Sequence, residues 1–280
     1  MKILVTGANG YLGQGIVSML IGNGHRVVAT DFTSRWIDKH AEILEIDLFS
    51  IDNPFEYFGS PDVVLHLAWQ DGFVHNSFSH IDNIPAHCKF IKKVVDGGAK
   101  HIAVMGSMHE VGFFEGSVDE NTPCLPMSCY GIAKNALRQY VELLASNHQF
   151  TYQWLRSYYI VGRSEYGNSI FSKITAAVNS GKTEFPFTMG INQFDFIDYD
   201  DFCYQVMATI CQSEVKGIIN ICSGRPERLS ERVERFIKEN NYNIKLQYGV
   251  FPDRLYDSKA VWGNNTKIIK VLSKTSFKKL

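Results

Sequence analysis

The chain has 280 residues, of which 45% are hydrophobic and 20% charged, and its formal net charge at pH 7 is -1. A chain of this length can form one large core with a smaller lobe, or two domains. Its near-neutral charge provides no broad basic surface, which argues against nucleic acid or an anionic membrane as the main partner. A phosphorylated small molecule is still compatible, because it needs only a local site.

Cellular compartment and redox state can be predicted from apolar runs and cysteines. No apolar run approaches the length of about 18 residues that a membrane-spanning helix requires, and Met1–Val5 already has the pattern of a strand. We therefore expect a cytoplasmic protein. The six cysteines contain no Cys-x-x-Cys pair, so we expect them to be reduced and structural, and no metal site is predicted.

The chain begins with a strand, a glycine-rich turn and a helix. Ile3–Val5 leads into Gly7, Gly10 and Gly13, and an apolar stripe at helical spacing follows over residues 16–21. Glycines at these places let the backbone turn tightly and approach a pyrophosphate, whose charge then faces the amides of a helix N-terminus. The order of elements predicts a dinucleotide site, although a turn without a ligand would carry the same glycines.

The second predicted strand, residues 26–31, ends in Asp31. A carboxylate at this place accepts hydrogen bonds from the adenosine ribose diol and repels a 2′-phosphate. We therefore expect NAD(H) to be preferred. Arg35 follows closely and could offset the repulsion, so NADP(H) stays open as a cofactor.

Further strands lead to the other side of the predicted sheet. Residues 43–48 and 62–68 have the pattern of buried parallel strands, and a helical period over 81–98 precedes a fifth strand over 101–105. Ser107 follows that strand. Ligands of open parallel sheets bind beyond the carboxyl ends of the strands, so Ser107 lies where chemistry is expected. His66, within the earlier strand, is interpreted as a core or turn residue.

A tyrosine and a lysine stand one helical turn apart at the start of a long predicted helix. Tyr130 and Lys134 therefore share one helix face. An ammonium near a phenol favours the phenolate, and lowering a tyrosine pKa from about 10 toward neutrality takes about 4 kcal/mol. We expect Lys134 to lower the pKa of Tyr130 and make it a usable acid. By itself such a pair is common on helix surfaces.

The second half of the chain alternates short elements. A sixth strand is predicted over residues 152–162, and a helix over 170–178. They are followed by a helix over 204–211, a strand over 218–222 and a helix over 229–239. The final run, residues 267–280, is basic, and we expect it to fray.

These motifs together resemble the extended short-chain dehydrogenase/reductase family, also described as the NAD-dependent epimerase/dehydratase family. The glycine turn, the strand-end Asp31, Ser107 and the Tyr-x-x-x-Lys pair all match in order, and Leu65–Ala68 is similar to the family's His-x-Ala segment. The match extends from residue 1 to about residue 260. Three positions depart from the pattern, since Val111 replaces a tyrosine, Phe194 an arginine and Tyr159 an asparagine that sugar-nucleotide members often carry.

The resemblance implies the fold and the roles of the residues. The fold would be α/β, with a Rossmann-type doubly wound parallel sheet over residues 1–156 and a small C-terminal substrate lobe over 157–280, interleaved with the Rossmann core. Ser107 would hydrogen-bond a substrate carbonyl, Tyr130 would give or take its proton, and Lys134 would hold the nicotinamide ribose. The implied cofactor-binding residues are Gly7, Asn9, Gly10, Tyr11, Leu12, Gly13, Asp31, Phe32, Asp47, Leu48, Leu67, Ala68, Trp69, Tyr130, Lys134, Tyr158 and Ile160. The implied substrate-binding residues are Met108, His109, Tyr159, Arg225 and Arg254.

Residues 107–112 narrow the reaction type. Dehydratases of the family carry an Asp-Glu pair where this chain has Met108 and His109, and Glu110 is one position late, which in an extended segment points it to the other face. The resemblance implies a nucleotide-activated 4-keto-6-deoxy sugar as substrate, used in the synthesis of surface polysaccharide precursors. The chain is short for a sugar epimerase, and Tyr159 and Phe194 stand where those enzymes grip the nucleotide, so we expect reduction of the 4-keto group.

Two alternatives stay open at this stage. A nucleotide-sugar 4-epimerase would use the same catalytic residues, and a non-catalytic dinucleotide-binding regulatory protein would need only the glycine turn. The resemblance also implies a homodimer in which the helices at 81–96 and 129–146 form a four-helix bundle with their symmetry mates.

Overall fold

The computed structural model describes residues 1–162, 169–252 and 258–279. Its strands and helices follow in the order β1 (Lys2–Thr6), α1 (Tyr11–Gly22), β2 (Arg26–Asp31), β3 (Glu42–Glu45), α2 (Pro54–Tyr57), β4 (Val63–His66), α3 (Ser79–Asp82), α4 (Ile84–Asp96), β5 (His101–Ser107), β6 (Gly116–Val118), α5 (Cys129–Asn147), β7 (Thr151–Ser157), β8 (Tyr159–Val161), α6 (Ile170–Asn179), β9 (Glu184–Pro186), β10 (Gln193–Asp198), α7 (Tyr199–Ile210), β11 (Gly217–Ile221), β12 (Pro226–Arg228), α8 (Leu229–Glu239), β13 (Lys245–Gln247), β14 (Ala260–Gly263) and α9 (Thr266–Leu272).

The main sheet has seven strands in the order β11-β7-β5-β4-β1-β2-β3, and neighbouring strands in it are parallel. The chain winds outward from β1 to β3 on one side and from β4 onward on the other. The predicted doubly wound parallel α/β fold is therefore confirmed. The winding reverses between β1 and β4, where Thr6 pairs with His66. A crevice for ligands is expected beyond the carboxyl ends of these two strands.

Helices cover both faces of this sheet because successive side chains of a strand point to opposite sides. Ile3 and Val5 of β1 pack in a core with α1, α7 and α9, whereas Leu4 packs on the other side with α4 and α5. All three side chains are fully buried. Burial of an aliphatic side chain of this size stabilises a fold by about 1.5–3 kcal/mol, so the alternation fixes the register of the strand.

A second sheet lies beside the main one. Its strands run in the order β12-β10-β14-β6, and β8 also pairs with β10. The two sheets exchange segments, because β6 comes from the first half of the chain and β11 of the main sheet comes from the second half. The division into a Rossmann domain over 1–156 and a substrate lobe over 157–280 stays a prediction.

Several predicted elements have different bounds in the structure, among them the helix predicted over 204–211, which begins at Tyr199. The strand predicted over 152–162 is split, since β7 stays in the main sheet and β8 joins the second sheet. The strand predicted over 43–48 stops at Glu45, because the Asp47 carboxylate accepts a hydrogen bond of 3.0 Å from the Phe49 amide and caps a short 3-10 turn. The helix predicted over 81–98 is two helices, α3 and α4.

The expectation that the C-terminal run frays is wrong for its first part. Ile268 and Val271 of α9 are buried in the core beneath the main sheet. Tyr204 Oη donates a hydrogen bond of 3.0 Å to the carbonyl of Phe277 beyond the helix. The prediction rested on the many lysines of this run and overlooked apolar residues at i, i+3 spacing, which is the spacing of one buried helix face.

All six cysteines are free thiols, as predicted, and Cys203 and Cys222 are buried. Each of these two therefore packs as a small apolar side chain. Within the described residues, no helix combines the length and the apolar character needed to cross a bilayer.

Candidate active site

The glycine turn between β1 and α1 packs closely against neighbouring backbone and leaves no room for side chains. Gly7 has a φ of 69°, and a Cβ atom on it would lie 2.6 Å from the amide nitrogen of Ala68. Gly10 is the N-cap of α1 and provides no side chain to cap the helix. The first-turn amides of residues 11–13 therefore have no capping side chain, and helix N-termini of this kind suit an anionic group. The turn fits the pyrophosphate of a dinucleotide.

Asp31 stands beside this turn. Its Oδ2 accepts a hydrogen bond of 3.0 Å from the amide of Asn9, and its Oδ1 accepts one of 2.8 Å from the amide of Phe32. The guanidinium of Arg35 lies 4.6 Å from the ring centroid of Trp36, stacked on the indole. The carboxylate is thus fixed next to the turn, and the stacking holds the arginine on Trp36.

The other predicted cofactor residues lie along the carboxyl ends of the strands. Residues 67–69 follow directly from β4, next to the glycine turn. Asp47 is exposed and Leu48 is buried in the core beneath α4. Tyr158 follows β7, but its ring is buried in the core of the second sheet, and Ile160 lies in β8.

Ser107, Tyr130 and Lys134 come together at the end of β5. Ser107 is the last residue of that strand, and the other two lie in the first turns of α5, whose start is capped by a hydrogen bond of 3.1 Å from the Gly131 amide to Ser128 Oγ. The Ser107 side chain is near enough to the Tyr130 hydroxyl to lower its pKa. Lys134 Nζ lies 5.9 Å from the centroid of the Tyr130 ring. The structure therefore brings the three predicted catalytic residues together.

The pKa of Tyr130 moves in the direction opposite to our expectation. Burial raises it to about 12, and the charge of Glu110 adds to this, while the hydrogen bond with Ser107 lowers it. The expectation that Lys134 lowers the pKa of Tyr130 toward neutrality is wrong for this structure. The reason is that desolvation of the phenolate is the larger effect, and the ammonium is directed at other groups.

Lys134 is buried, and its ammonium is held by a carbonyl and an indole. Nζ donates a hydrogen bond of 2.9 Å to the carbonyl of Met105 and lies 3.7 Å from the ring centroid of Trp69. Burial lowers the pKa of Lys134 to about 7, although the charge of Glu110 raises it. Burial therefore disfavours the charged form of this lysine by more than the carboxylate of Glu110 favours it.

Trp69 packs against His87, which is paired with a second buried histidine, His66. The Trp69 ring is stacked on His87 at a centroid distance of 4.6 Å. His87 Nδ1 lies 2.9 Å from His66 Nε2, and His66 Nδ1 lies 2.8 Å from Thr6 Oγ1. Burial lowers the pKa of His87 to about 3, with a contribution from the charge of Lys134, and lowers that of His66 well below its usual value. The interpretation of His66 as a satisfied core residue is confirmed.

Histidines also surround the Tyr130 ring. The ring of His75 is stacked on it at a centroid distance of 5.4 Å, and His80 and His109 lie at 5.3 and 5.9 Å. The Tyr130 amide donates a hydrogen bond of 2.8 Å to the carbonyl of His75. Sequence reasoning missed His75 and His80, because residues 70–80 show no periodicity. The only signal was a run of histidines soon after the His-x-Ala segment.

Glu110 ends a 3-10 turn, Met108–Glu110, where the prediction assumed an extended segment, so the argument from alternating faces does not apply. Glu110 is fully buried, and its carboxylate accepts hydrogen bonds of 2.6 Å from the Ser107 amide and 2.8 Å from Trp154 Nε1. Arg156 Nε lies 3.6 Å from the same carboxylate, and Arg138 Nε lies 3.9 Å from it. Glu110 thus holds the Ser107 turn in place, and its carboxylate is occupied by these buried contacts.

The predicted substrate residues are spread over several elements. Met108 is buried next to Ser107, and the Tyr159 ring packs 4.6 Å from that of Phe194. Arg225 is exposed beside β12, and no hydrogen bond or ion pair within the described ranges joins it to Ser107, Tyr130 or Lys134. Arg254 lies outside the described residues.

The part of the chain that the structure describes contains no set of side chains suited to bind a metal ion. No group of three or more His, Cys, Asp or Glu side chains there could hold an ion. The histidines near Tyr130 are instead stacked on aromatic rings or hydrogen-bonded to one another.

The sequence matches the model of the family described as NAD dependent epimerase/dehydratase over residues 3–222. It is 43% identical over 269 residues to the dTDP-6-deoxy-L-talose 4-dehydrogenase (NAD(+)) of Aggregatibacter actinomycetemcomitans, an alignment that spans 94% of this chain and 99% of that protein. The fold is similar to UDP-glucose 4-epimerase from Thermotoga maritima, solved with UDP-glucose, with a TM-score of 0.81, 23% identity and coverage of 96% of this chain and 92% of the other. A UDP-N-acetylglucosamine 4-epimerase from Methanobrevibacter ruminantium has a TM-score of 0.83, 21% identity and coverage of 100% and 93%. At these identities the two solved structures bear on the fold alone.

Proposed function

Because the chain belongs to the NAD-dependent epimerase/dehydratase family, we propose that it is an oxidoreductase that transfers a hydride between NAD(H) and C4 of a nucleotide-linked 6-deoxyhexose. The observation that carries the proposal is the grouping of Ser107, Tyr130 and Lys134 at the carboxyl edge of the sheet, beside the glycine turn. A dTDP-linked sugar is the first substrate to test, because the relative that is 43% identical is named for one.

The nicotinamide, when bound, accepts or supplies the hydride. In the reductive direction, the Ser107 hydroxyl donates a hydrogen bond to the C4 carbonyl oxygen, and Tyr130 Oη gives that oxygen its proton. In the oxidative direction Tyr130 must first release its own proton, and the resulting phenolate then accepts the proton of the C4 hydroxyl. The raised pKa of Tyr130 keeps its hydroxyl protonated, which suits the acid role. Lys134 is proposed to hold the nicotinamide ribose through its ammonium.

Reduction or oxidation at C4 fits better than dehydration. Elimination of water across C5 and C6 needs an acid and a base beside the sugar, and the one carboxylate in the turn after Ser107, Glu110, is buried against Trp154 and Arg156. Met108 and His109 occupy the two places where dehydratases carry theirs. The name of the relative describes oxidation at C4, whereas the sequence predicts reduction of the 4-ketone. The two are one reaction in opposite directions.

A direct assay tests this proposal. The purified protein is incubated with NADH and a dTDP-4-keto-6-deoxyhexose, and separately with NAD⁺ and the matching 4-hydroxy sugar, while NADH absorbance is followed. We expect one NADH consumed or formed for each sugar converted. Interconversion of two sugar nucleotides at catalytic cofactor, without a net absorbance change, would establish the 4-epimerase instead. Binding of NAD without turnover of any sugar would favour the regulatory protein.

Asp31 should make NADH at least as good a cofactor as NADPH. Its carboxylate beside the glycine turn repels a 2′-phosphate, and Arg35 is stacked on Trp36. Asp31→Ser and Asp31→Ala should therefore shift the ratio of kcat/KM values toward NADPH, whereas Asp38→Ser, at a partly buried carboxylate paired with His40, should not. A wild-type preference for NADPH of more than about tenfold, or about 1.4 kcal/mol, would show that another group controls the choice.

We also propose a homodimer through α4 and α5. Ile132, Ala136 and Leu143 form an apolar stripe on α5 that the core leaves partly uncovered, and Ile132 and Leu143 are 46% and 61% exposed. Sedimentation at micromolar concentration should give a dimer, and Leu143→Lys should give monomers. Ile269→Lys, at an exposed site on α9, should leave the dimer intact. A wild-type monomer would rule this interface out.

A further inference from the structure

The first turn of α1 is held by a tyrosine from the other half of the chain. Tyr199 opens α7, and its hydroxyl donates a hydrogen bond to the carbonyl of Tyr11. The same hydroxyl accepts a hydrogen bond of 3.0 Å from the amide of Gly15. The Tyr11 carbonyl and the Gly15 amide stand at i and i+4, the spacing at which backbone groups hydrogen-bond across one turn of an α-helix. One side chain therefore engages both ends of this turn.

Packing reinforces the hydrogen bonds. The rings of Tyr11 and Tyr199 lie at a centroid distance of 4.7 Å. Burial raises the pKa of Tyr199, so its hydroxyl keeps the proton it donates. Gly15 makes room for this contact, because a Cβ atom there would lie 2.5 Å from the hydroxyl oxygen. A glycine inside a helix costs about 1 kcal/mol relative to alanine, so its presence needs a local reason, and this contact provides one.

The contact links the two halves of the proposed site. The amides of residues 11–13, which suit a pyrophosphate, belong to the turn that Tyr199 holds. Tyr199 itself follows directly on β10, the strand of the second sheet that pairs with β8. A shift of Tyr199 would therefore move the orientation of these amides, and the second sheet fixes where Tyr199 stands.

We propose that Tyr199 is a positioning residue for the dinucleotide, which holds the first turn of α1 so that its amides face the pyrophosphate. The inference rests on the proposed use of NAD(H) by this chain. Tyr199 acts through the helix backbone, and its effect should appear in cofactor affinity. The proton transfer at Tyr130 should be unaffected.

The test compares two Tyr→Phe variants on the same helix. Tyr199→Phe removes the bridging hydroxyl, and Tyr204→Phe removes a hydroxyl that donates to the carbonyl of Phe277, away from the glycine turn. NAD affinity is measured by calorimetry, and thermal unfolding confirms that both variants fold. We expect the Kd for NAD to rise about tenfold in Tyr199→Phe, as for the loss of about 1.4 kcal/mol, and less than about twofold in Tyr204→Phe. With substrate, KM for NAD should rise while kcat stays unchanged.

A second variant approaches the same contact from the helix. Gly15→Ala places a methyl group against the Tyr199 hydroxyl and should weaken NAD binding to a similar extent. Wild-type affinity in both folded variants, or equal weakening in Tyr204→Phe, would overturn the positioning role. A wild-type protein that does not bind NAD would instead overturn the proposed function, and the positioning role with it.

Discussion

Replacing Tyr130 with phenylalanine should lower kcat by at least about 100-fold and leave the affinity for NAD nearly unchanged, since general acid groups typically contribute that much or more. The hydroxyl moves the proton, whereas the ring makes the packing contacts with His75 and Trp69. The measurement is kcat from NADH absorbance together with Kd for NAD by calorimetry. Retention of more than about a tenth of the wild-type kcat would exclude Tyr130 as the acid.

A matched control is available in the main sheet. Tyr152 is buried in β7, and its hydroxyl has no hydrogen-bond partner within the described residues. Tyr152→Phe should therefore leave both kcat and Kd close to the wild-type values. A loss of activity in this control equal to that of Tyr130→Phe would point to a general packing effect.

Replacing Lys134 with methionine should damage both turnover and NAD binding. The ammonium is proposed to hold the nicotinamide ribose, and the group lies against Trp69 beside Tyr130. We expect kcat/KM for NAD to fall by at least about 100-fold, with a weaker Kd contributing part of it. Lys92→Met, which removes an exposed partner of Asp96, is the control and should retain wild-type values. Wild-type Kd for NAD in Lys134→Met would mean that the lysine does not hold the cofactor.

The Lys134→Met variant also tests the lowered pKa of Lys134, through the pH dependence of the free energy of unfolding. Burial lowers the pKa of Lys134 to about 7 in the folded protein, from 10.5. Between these values the unfolded chain binds one more proton than the folded one, so the free energy of unfolding rises with pH, by up to about 1.4 kcal/mol per pH unit. Urea unfolding of the cofactor-free protein at pH 7 and pH 8.5 should show the rise in the wild type, and Lys134→Met should reduce it. Equal pH dependence in both proteins would show that the pKa of Lys134 is not lowered.

The fold and the grouping of Ser107, Tyr130 and Lys134 were predictable because both depend on local patterns. Strand, glycine turn and helix at residues 2–22 define the first unit of a doubly wound sheet, and the Tyr130 to Lys134 spacing is fixed by one helical turn. The place of Ser107 follows from the rule that ligands bind at the carboxyl ends of parallel strands.

What sequence reasoning missed depends on contacts between distant segments. The pKa of Tyr130 is set by desolvation, which the i, i+4 spacing does not report, and His75 reaches the tyrosine ring from a segment without periodicity. The Tyr199 hydroxyl meets Gly15 only because α7 packs on α1. The burial of α9 was hidden by lysines on the opposite face, although its apolar spacing was present in the sequence.

Hydride transfer to C4 can be measured directly by isotope labelling. NADH deuterated at C4 of the nicotinamide, tested on both faces in turn, is incubated with the protein and a dTDP-4-keto-6-deoxyhexose, and the sugar product is analysed by NMR. The proposed mechanism predicts deuterium at C4 of the sugar with one of the two labels, in an amount equal to the NADH consumed, and none with Tyr130→Phe. A product without deuterium from either label, or a sugar converted while NADH is not consumed, would contradict it.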